Sequence, residues 1–151
     1  MRIREVKPED ADQLLPLLID SERYHNVELD KDKIDEKGLE NQARNDLYLW
    51  FRPQYQGYVL ENAGQVIGLA LAQTGDVVGK GWIEDVYVAP KYRRQGWAEK
   101  LIQQAVVWLK SQGVKRVSLD VHQNNAPALQ FYKKLGFKEA RQTWLKYEKE
   151  I

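Results

Sequence analysis

The chain has 151 residues, 43% of them hydrophobic and 30% charged, with no cysteine and a formal net charge of +1. That length suits one domain able to bury about two-thirds of its unfolded surface. The absence of cysteine excludes disulfides, a thiolate nucleophile and a thiolate metal site, and the near-zero net charge gives no global reason to expect nucleic acid as a partner.

Met1-Arg2-Ile3-Arg4 reads as the start of a strand, not as a signal peptide, and no apolar run reaches the length of a membrane span. A cytoplasmic protein with no membrane partner is therefore expected. Residues 3–6 form the first predicted strand. Lys7-Pro8-Glu9-Asp10 opens a helix, with proline in its first turn and acids complementing the dipole. Ala11, Leu14, Leu15 and Leu18 give that helix its apolar face. Residues 32–51 read as one or two less regular helices, with Gly38 as a break. Their aromatics, Tyr48, Trp50 and Phe51, together with Tyr55 and Tyr58, are expected to pack helix on sheet. Strands follow over residues 57–61 and 65–73, joined by the hairpin turn Asn62-Ala63-Gly64. A loop over 74–80 leads to a strand over 81–88.

Beyond that strand, Arg93-Arg94-Gln95-Gly96 meets a long helix whose apolar residues are Ala98, Leu101, Ile102, Ala105, Val106 and Leu109. Their spacing is the stripe of a helix packed on a core. Gly113 suits a left-handed helix end. Residues 114–121 alternate as a strand, and Asn124-Asn125 with Pro127 caps a short helix reaching 134 or 135. Two last strands are expected over 137–140 and 142–148. The order β-α-α-β-β-β-α-β-α-β-β predicts a mixed α/β sheet in a single domain spanning 1–151.

Two features carry chemistry. Free N–H groups at the start of the long helix, Gly96 without a side chain and the guanidiniums of Arg93 and Arg94 suit a diphosphate. The plain alternative is a basic helix start with no ligand, because such a terminus attracts anions by only ~0.3–1 kcal/mol when exposed. The turn also lacks the glycine pattern of a dinucleotide fold or a P-loop. The second feature is the run from Asn125 to Phe137, in which Tyr132 follows Asn125 and Gly136-Phe137 closes the helix.

Together these segments resemble the two motifs of the GNAT superfamily, the acetyl-CoA-dependent N-acetyltransferases. Arg93, Gly96 and Ala98 stand at the places of the cofactor motif [QR]-x-x-G-x-[GA], and the run 125–137 is similar to the closing motif. Trp97 and Ala98 stand where a small aliphatic residue and glycine are commoner. The resemblance implies a GNAT-like, mostly antiparallel sheet of six to seven strands flanked by four helices, with a splayed strand pair that binds acetyl-CoA. It places the diphosphate on Arg93, Arg94, Gln95, Gly96, Trp97 and Ala98. It also places the pantetheine arm along Val86, Tyr87 and Val88, with Asn125 near the gap. Tyr132 would protonate the departing thiolate, and a homodimer through the last strands is expected.

Glu84 is the candidate general base. A lysine-like amine near pKa 10.4 lies about three units from neutrality at pH 7, roughly 4 kcal/mol, so a carboxylate that takes its proton has a clear use. Asp85 would point to the opposite face of a regular strand. Residues 20–46 hold nine acidic against five basic residues. That excess favours a cationic acceptor, whether a small amine or a protein lysine or N-terminal amine, and a neutral single domain without a peptide-groove signature tips the choice to the small amine. Tyr24, Asp30, Asp32 and Trp82 are candidates for acceptor contacts. A non-catalytic acyl-CoA sensor on the same fold is the alternative of another class. His25 and His122 are isolated, without metal-ligand spacing, and are assigned structural or surface roles.

Overall fold

The computed structural model describes residues 1–31, 33–140 and 146–150. Among them, β1 (Arg2–Glu5), β2 (Tyr55–Asn62), β3 (Gln65–Thr74) and β4 (Lys80–Val88) pair antiparallel in that order, and β5 (Arg116–Ser118) joins β4 in parallel. Strand alternation buries both faces of this sheet. Tyr58, Leu60, Ala70 and Ala72 feed one core, while Val59, Leu69 and Leu71 feed the other. Helix α3 (Trp97–Ser111) covers the first face with Leu101, Ile102, Ala105 and Leu109, the stripe its spacing predicts. Helices α1 (Ala11–Arg23) and α2 (Glu36–Leu49) cover the second with Leu14, Leu18 and Ala43, and Trp50 packs beside them. The short α4 (Ala126–Lys134) brings Phe131 and Tyr132 against the α3-side core. No helix among the described residues is long and apolar enough to cross a membrane.

Several boundaries differ from expectation for local reasons. The second helix starts at Glu36, not at 32, because the Asp35 side chain accepts the Gly38 N–H at 2.8 Å and caps it. Gly38 therefore sits in the first turn and breaks nothing. Helix α1 instead runs on into a widened π-helical turn, Tyr24–Leu29. Tyr48 and Phe51 do not pack on the sheet: they are 69% and 44% exposed, and Arg52 lies over the Tyr48 ring.

The sheet has five strands among the described residues, not six or seven. Residues 137–140 have no strand structure, since a strand needs a ladder partner and none of the described residues offers one there. Of the last expected strand, residues 142–145, in the region through which a homodimer is expected, lie outside the described residues, and residues 146–148 carry no strand structure.

Two irregularities shape β4. Its register against β3 steps from Leu71↔Asp85 to Ala72↔Ile83, so Glu84 is an extra, bulged residue. On its other edge β4 pairs with β5 only through Lys80, Gly81 and Trp82. Beyond Trp82 the parallel pair splays, which is why the strand expected over 114–121 is ordered as a ladder only at Arg116–Ser118.

Candidate active site

The turn before α3 has the geometry of an anion cradle. Pro90–Tyr92 make one 3-10 turn, Arg93 is extended, Arg94 is left-handed with φ 60°, and Gly96 is left-handed with φ 82°. Alternating backbone conformations of this kind turn successive N–H groups toward one point. Among the described residues, the N–H groups of residues 94–98 have no hydrogen-bond acceptor. Arg93 is used differently from its neighbour. Its Nε donates to the Val88 carbonyl at 2.7 Å and its guanidinium lies over the Tyr87 ring, so it braces the end of β4. Arg94 stays exposed beside the open N–H groups, and Gln95 is exposed next to it. Trp97 and Ala98 begin α3, with Lys100 over the Trp97 ring at 4.4 Å.

Where β4 and β5 part, a small cavity of about 70 Å³ opens between Ile83, Val86, Leu119 and Tyr132, with His25, Glu84, Asp85 and Asp120 on its walls. The predicted β4 residues differ in facing. Val86 and Val88 pack with the α3-side core, and Tyr87 packs with the α1–α2 side. Tyr132 is held by Phe131 and by an edge-on Phe137 ring. Burial first, and then the nearby Asp85 carboxyl, push its phenol up to about 12. Asn125 caps α4, its Oδ1 accepting the Ala128 N–H at 3.3 Å, and the Tyr24 hydroxyl reaches the same oxygen at 3.5 Å.

A larger cleft of about 440 Å³ adjoins this gap and shares His25, Glu84, Asp85 and Asp120 with it. Glu22, Asp30 and Asp46 add three more carboxyls to its wall, and Trp50 and Tyr55 add aromatic surface. No Lys or Arg lines either cavity among the described residues. The electrostatic strain of this arrangement shows in the carboxyls themselves. Asp46 is pushed up to about 7 by burial and by the Glu22 carboxyl beside it. Asp85 also rises to about 7, through burial and then Asp46, with Ser21 pulling the other way. Glu84 is raised by burial and by Asp120.

The bulge corrects the expectation for Asp85: it does not turn away from Glu84, and both carboxyls line both cavities. Of the four candidate acceptor residues, Asp30 lines the larger cleft, where it is paired with His122. Tyr24 lies beside it at Asn125. Trp82 packs over Gly75 and lines neither cavity, so the structure does not bring it to the site. Asp32 lies outside the described residues. Sequence reasoning missed Glu22, Asp46, Asp85 and Asp120. The acidic excess over residues 20–46 was the available signal for the first two.

The chain belongs to the Acetyltransferase (GNAT) family, whose profile matches residues 17–137. Over 87 residues it is 31% identical to the [ribosomal protein bS18]-alanine N-acetyltransferase of Escherichia coli strain K12, covering 58% of this chain and 57% of that protein. Over 58 residues it is 38% identical to the aminoglycoside N(6')-acetyltransferase type 1 of Serratia marcescens, covering 38% and 40% of the two. The chain thus spans little more than half the length of the first of these curated relatives. Among solved structures, a Bacillus halodurans protein matches 98% of this chain and 100% of its own at a TM-score of 0.79 and 20% identity. The PaiA N-acetyltransferase of Thermoplasma acidophilum, in complex with coenzyme A, matches 94% and 92% at a TM-score of 0.75 and 20% identity.

Proposed function

We propose that this protein transfers an acetyl group from acetyl-CoA to a primary amine, directly with both substrates bound, and that the acceptor is a small cationic amine. The observation that carries this reading is the junction of two cavities: the gap where β4 and β5 part opens through shared walls into a cleft lined by six carboxyls and, among the described residues, no Lys or Arg. Ligand pockets commonly run from 300 to 1,000 Å³, so a cleft of about 440 Å³ suits a small molecule.

The protein groups fit the donor. The open N–H groups of residues 94–98 and the Arg94 guanidinium would hold its diphosphate, and the edge of β4 from Ile83 to Tyr87, which pairs with no strand among the described residues, would align its pantetheine arm. Asn125 would contact the arm near the gap. When bound, acetyl-CoA supplies the acyl group as a thioester. Free backbone N–H groups on the β4 edge would then stabilise negative charge developing on the acyl oxygen. Glu84 would take a proton from the attacking nitrogen, and Tyr132 would donate one to the departing sulfur.

The second reading, acetylation of a protein N-terminus, is favoured by the Escherichia coli relative, which acts on an alanine of ribosomal protein bS18. A panel of small amines and N-terminal peptides, scored by release of free CoA, separates the two. Turnover with small di- and triamines and none with peptides supports the reading; the reverse result replaces it. CoA binding without turnover on any amine would instead make the chain a sensor.

Glu84 can be tested separately with a weakly basic acceptor that stays neutral from pH 5 to 9. Burial raises the Glu84 pKa above its ordinary value, and the base works only when deprotonated. Wild-type kcat/KM therefore rises with pH through that raised pKa. In Glu84→Gln we expect a loss of about 10²-fold and disappearance of that rise. An unchanged pH profile would remove Glu84 from the role.

A further inference from the structure

The reaction removes two protons from an ammonium, and the groups named so far receive only one of them. The first must leave to make R–NH2, and the second leaves as the N–C bond forms. Glu84 takes the second. We infer that His25 takes the first: its Nε2 accepts a proton from the bound ammonium at the junction of the two cavities and passes it to solvent. This inference rests on the acetyl-transfer reading above.

Three observations place His25 in that role. It lines both the strand gap and the acidic cleft, the position an amine occupies between recognition and attack. Its Nδ1 lies 2.9 Å from the Ser21 carbonyl, an atom that can only accept. Nδ1 is therefore the protonated nitrogen of the neutral ring, and the lone pair is left on Nε2. Finally, the ring is fixed rather than free. It sits in the widened turn Tyr24–Leu29, closed by the Asp30 N–H on the His25 carbonyl at 3.1 Å, and it stands edge-on to Tyr24, which reaches Asn125. Such widened turns recur at functional sites.

The surroundings are acidic. The groups facing this junction are Glu22 from α1, Asp46 from α2, Glu84 and Asp85 from β4, Asp120 and His122 beyond β5, and Asp30, with Tyr132 across the gap. An anionic wall draws the ammonium in. Imidazole titrates nearest neutrality among side chains and suits a proton exchanged with water at pH 7.

The steps balance as follows. R–NH3⁺ gives H⁺ to Nε2, leaving R–NH2 and imidazolium, which returns that proton to water. The nitrogen then attacks the acyl carbon, the N–C bond forms and the C–S bond breaks. The second nitrogen proton goes to Glu84 and the Tyr132 proton to sulfur. Glu84 restores the phenol by proton exchange through the shared cavity.

The test is His25→Gln, assayed at pH 7 on a series of primary amines from strongly basic alkylamines to methoxyamine, which is neutral at that pH. The expected result is a loss in kcat/KM of at least 30-fold on alkylamines, at least five times smaller on methoxyamine. The alkylamine deficit should also shrink as pH rises toward the amine pKa. An equal loss on every amine, or no loss on any, overturns the role, since a structural defect does not track amine basicity. His25→Asn is assayed alongside, and circular dichroism of each variant checks its fold. If the wild-type protein acetylates none of these amines while binding CoA, the failure belongs to the transfer reading.

Discussion

Replacing Tyr132 with phenylalanine is expected to lower kcat by about 10²–10³-fold, the usual range for a lost general acid, and to change CoA affinity by less than about threefold. The substitution keeps the ring, so the contacts with Phe131 and Phe137 survive and the fold is not in question. Only the hydroxyl goes. The magnitude depends on how hard the proton is to move. A phenol pushed up to about 12 stays protonated through the working range, which a donor requires. Against an ordinary thiol near 8.5 the transfer is uphill by about 3.5 units, roughly 5 kcal/mol. The same burial raises the thiol, however, because desolvation disfavours the thiolate as it does the phenolate. The proton therefore moves late, as charge gathers on sulfur. A leaving-group series checks this directly: with acyl donors of more acidic thiols the defect of Tyr132→Phe should shrink. A variant turning over acetyl-CoA at the wild-type rate would show that water, not Tyr132, protonates the sulfur.

What the sequence disclosed and what it hid follow from the range of the interactions. The α3 stripe and the glycine-containing turn before it are set by residues within a few positions of one another, and both could be read directly; the left-handed backbone at Gly96 came from the structure. The bulge at Glu84 was present in the pattern and went unread. Ile83 and Val86 are three residues apart yet both face the α3 side, a step that a strand of period two cannot make without an inserted residue. His25 looked isolated because the acidic groups that share its cavity come from elsewhere: Asp46 on α2, Glu84 and Asp85 on β4, and Asp120 after β5. The pairing of Glu22 with Asp46 likewise exists only once α1 and α2 lie side by side on the sheet. Local chemistry sets the turn proposed for the coenzyme, whereas the cleft proposed for the acceptor is a product of tertiary packing.

Gly96→Val tests that turn, and Gly64→Val controls for it. Both glycines are left-handed, with φ 82° and 81°, and a Cβ at either would meet no atom within 4 Å. Neither added Cβ meets a neighbour, so both impose the same kind of cost: a β-branched residue held at positive φ, about 1–3 kcal/mol. We expect both to lower stability by a comparable amount. The difference lies in what relaxation destroys. At Gly64, in the turn between β2 and β3, a backbone that swings to negative φ disturbs the hairpin and the Gln13 contact with the Gly64 carbonyl, and leaves the turn before α3 alone. At Gly96 the same swing rotates the peptides that bear the N–H groups of residues 96 and 97, and the alternation with Arg94 that aims them together is lost. CoA affinity measured by calorimetry should therefore fall about 10–100-fold in Gly96→Val, the counterpart of 1–3 kcal/mol, and stay within about twofold of wild type in Gly64→Val. Since Arg94 remains in place, what residual binding there is should weaken further as salt is raised. Equal CoA affinity in the two variants would mean that the diphosphate is not held by this turn, and the donor site would have to be sought elsewhere on the sheet.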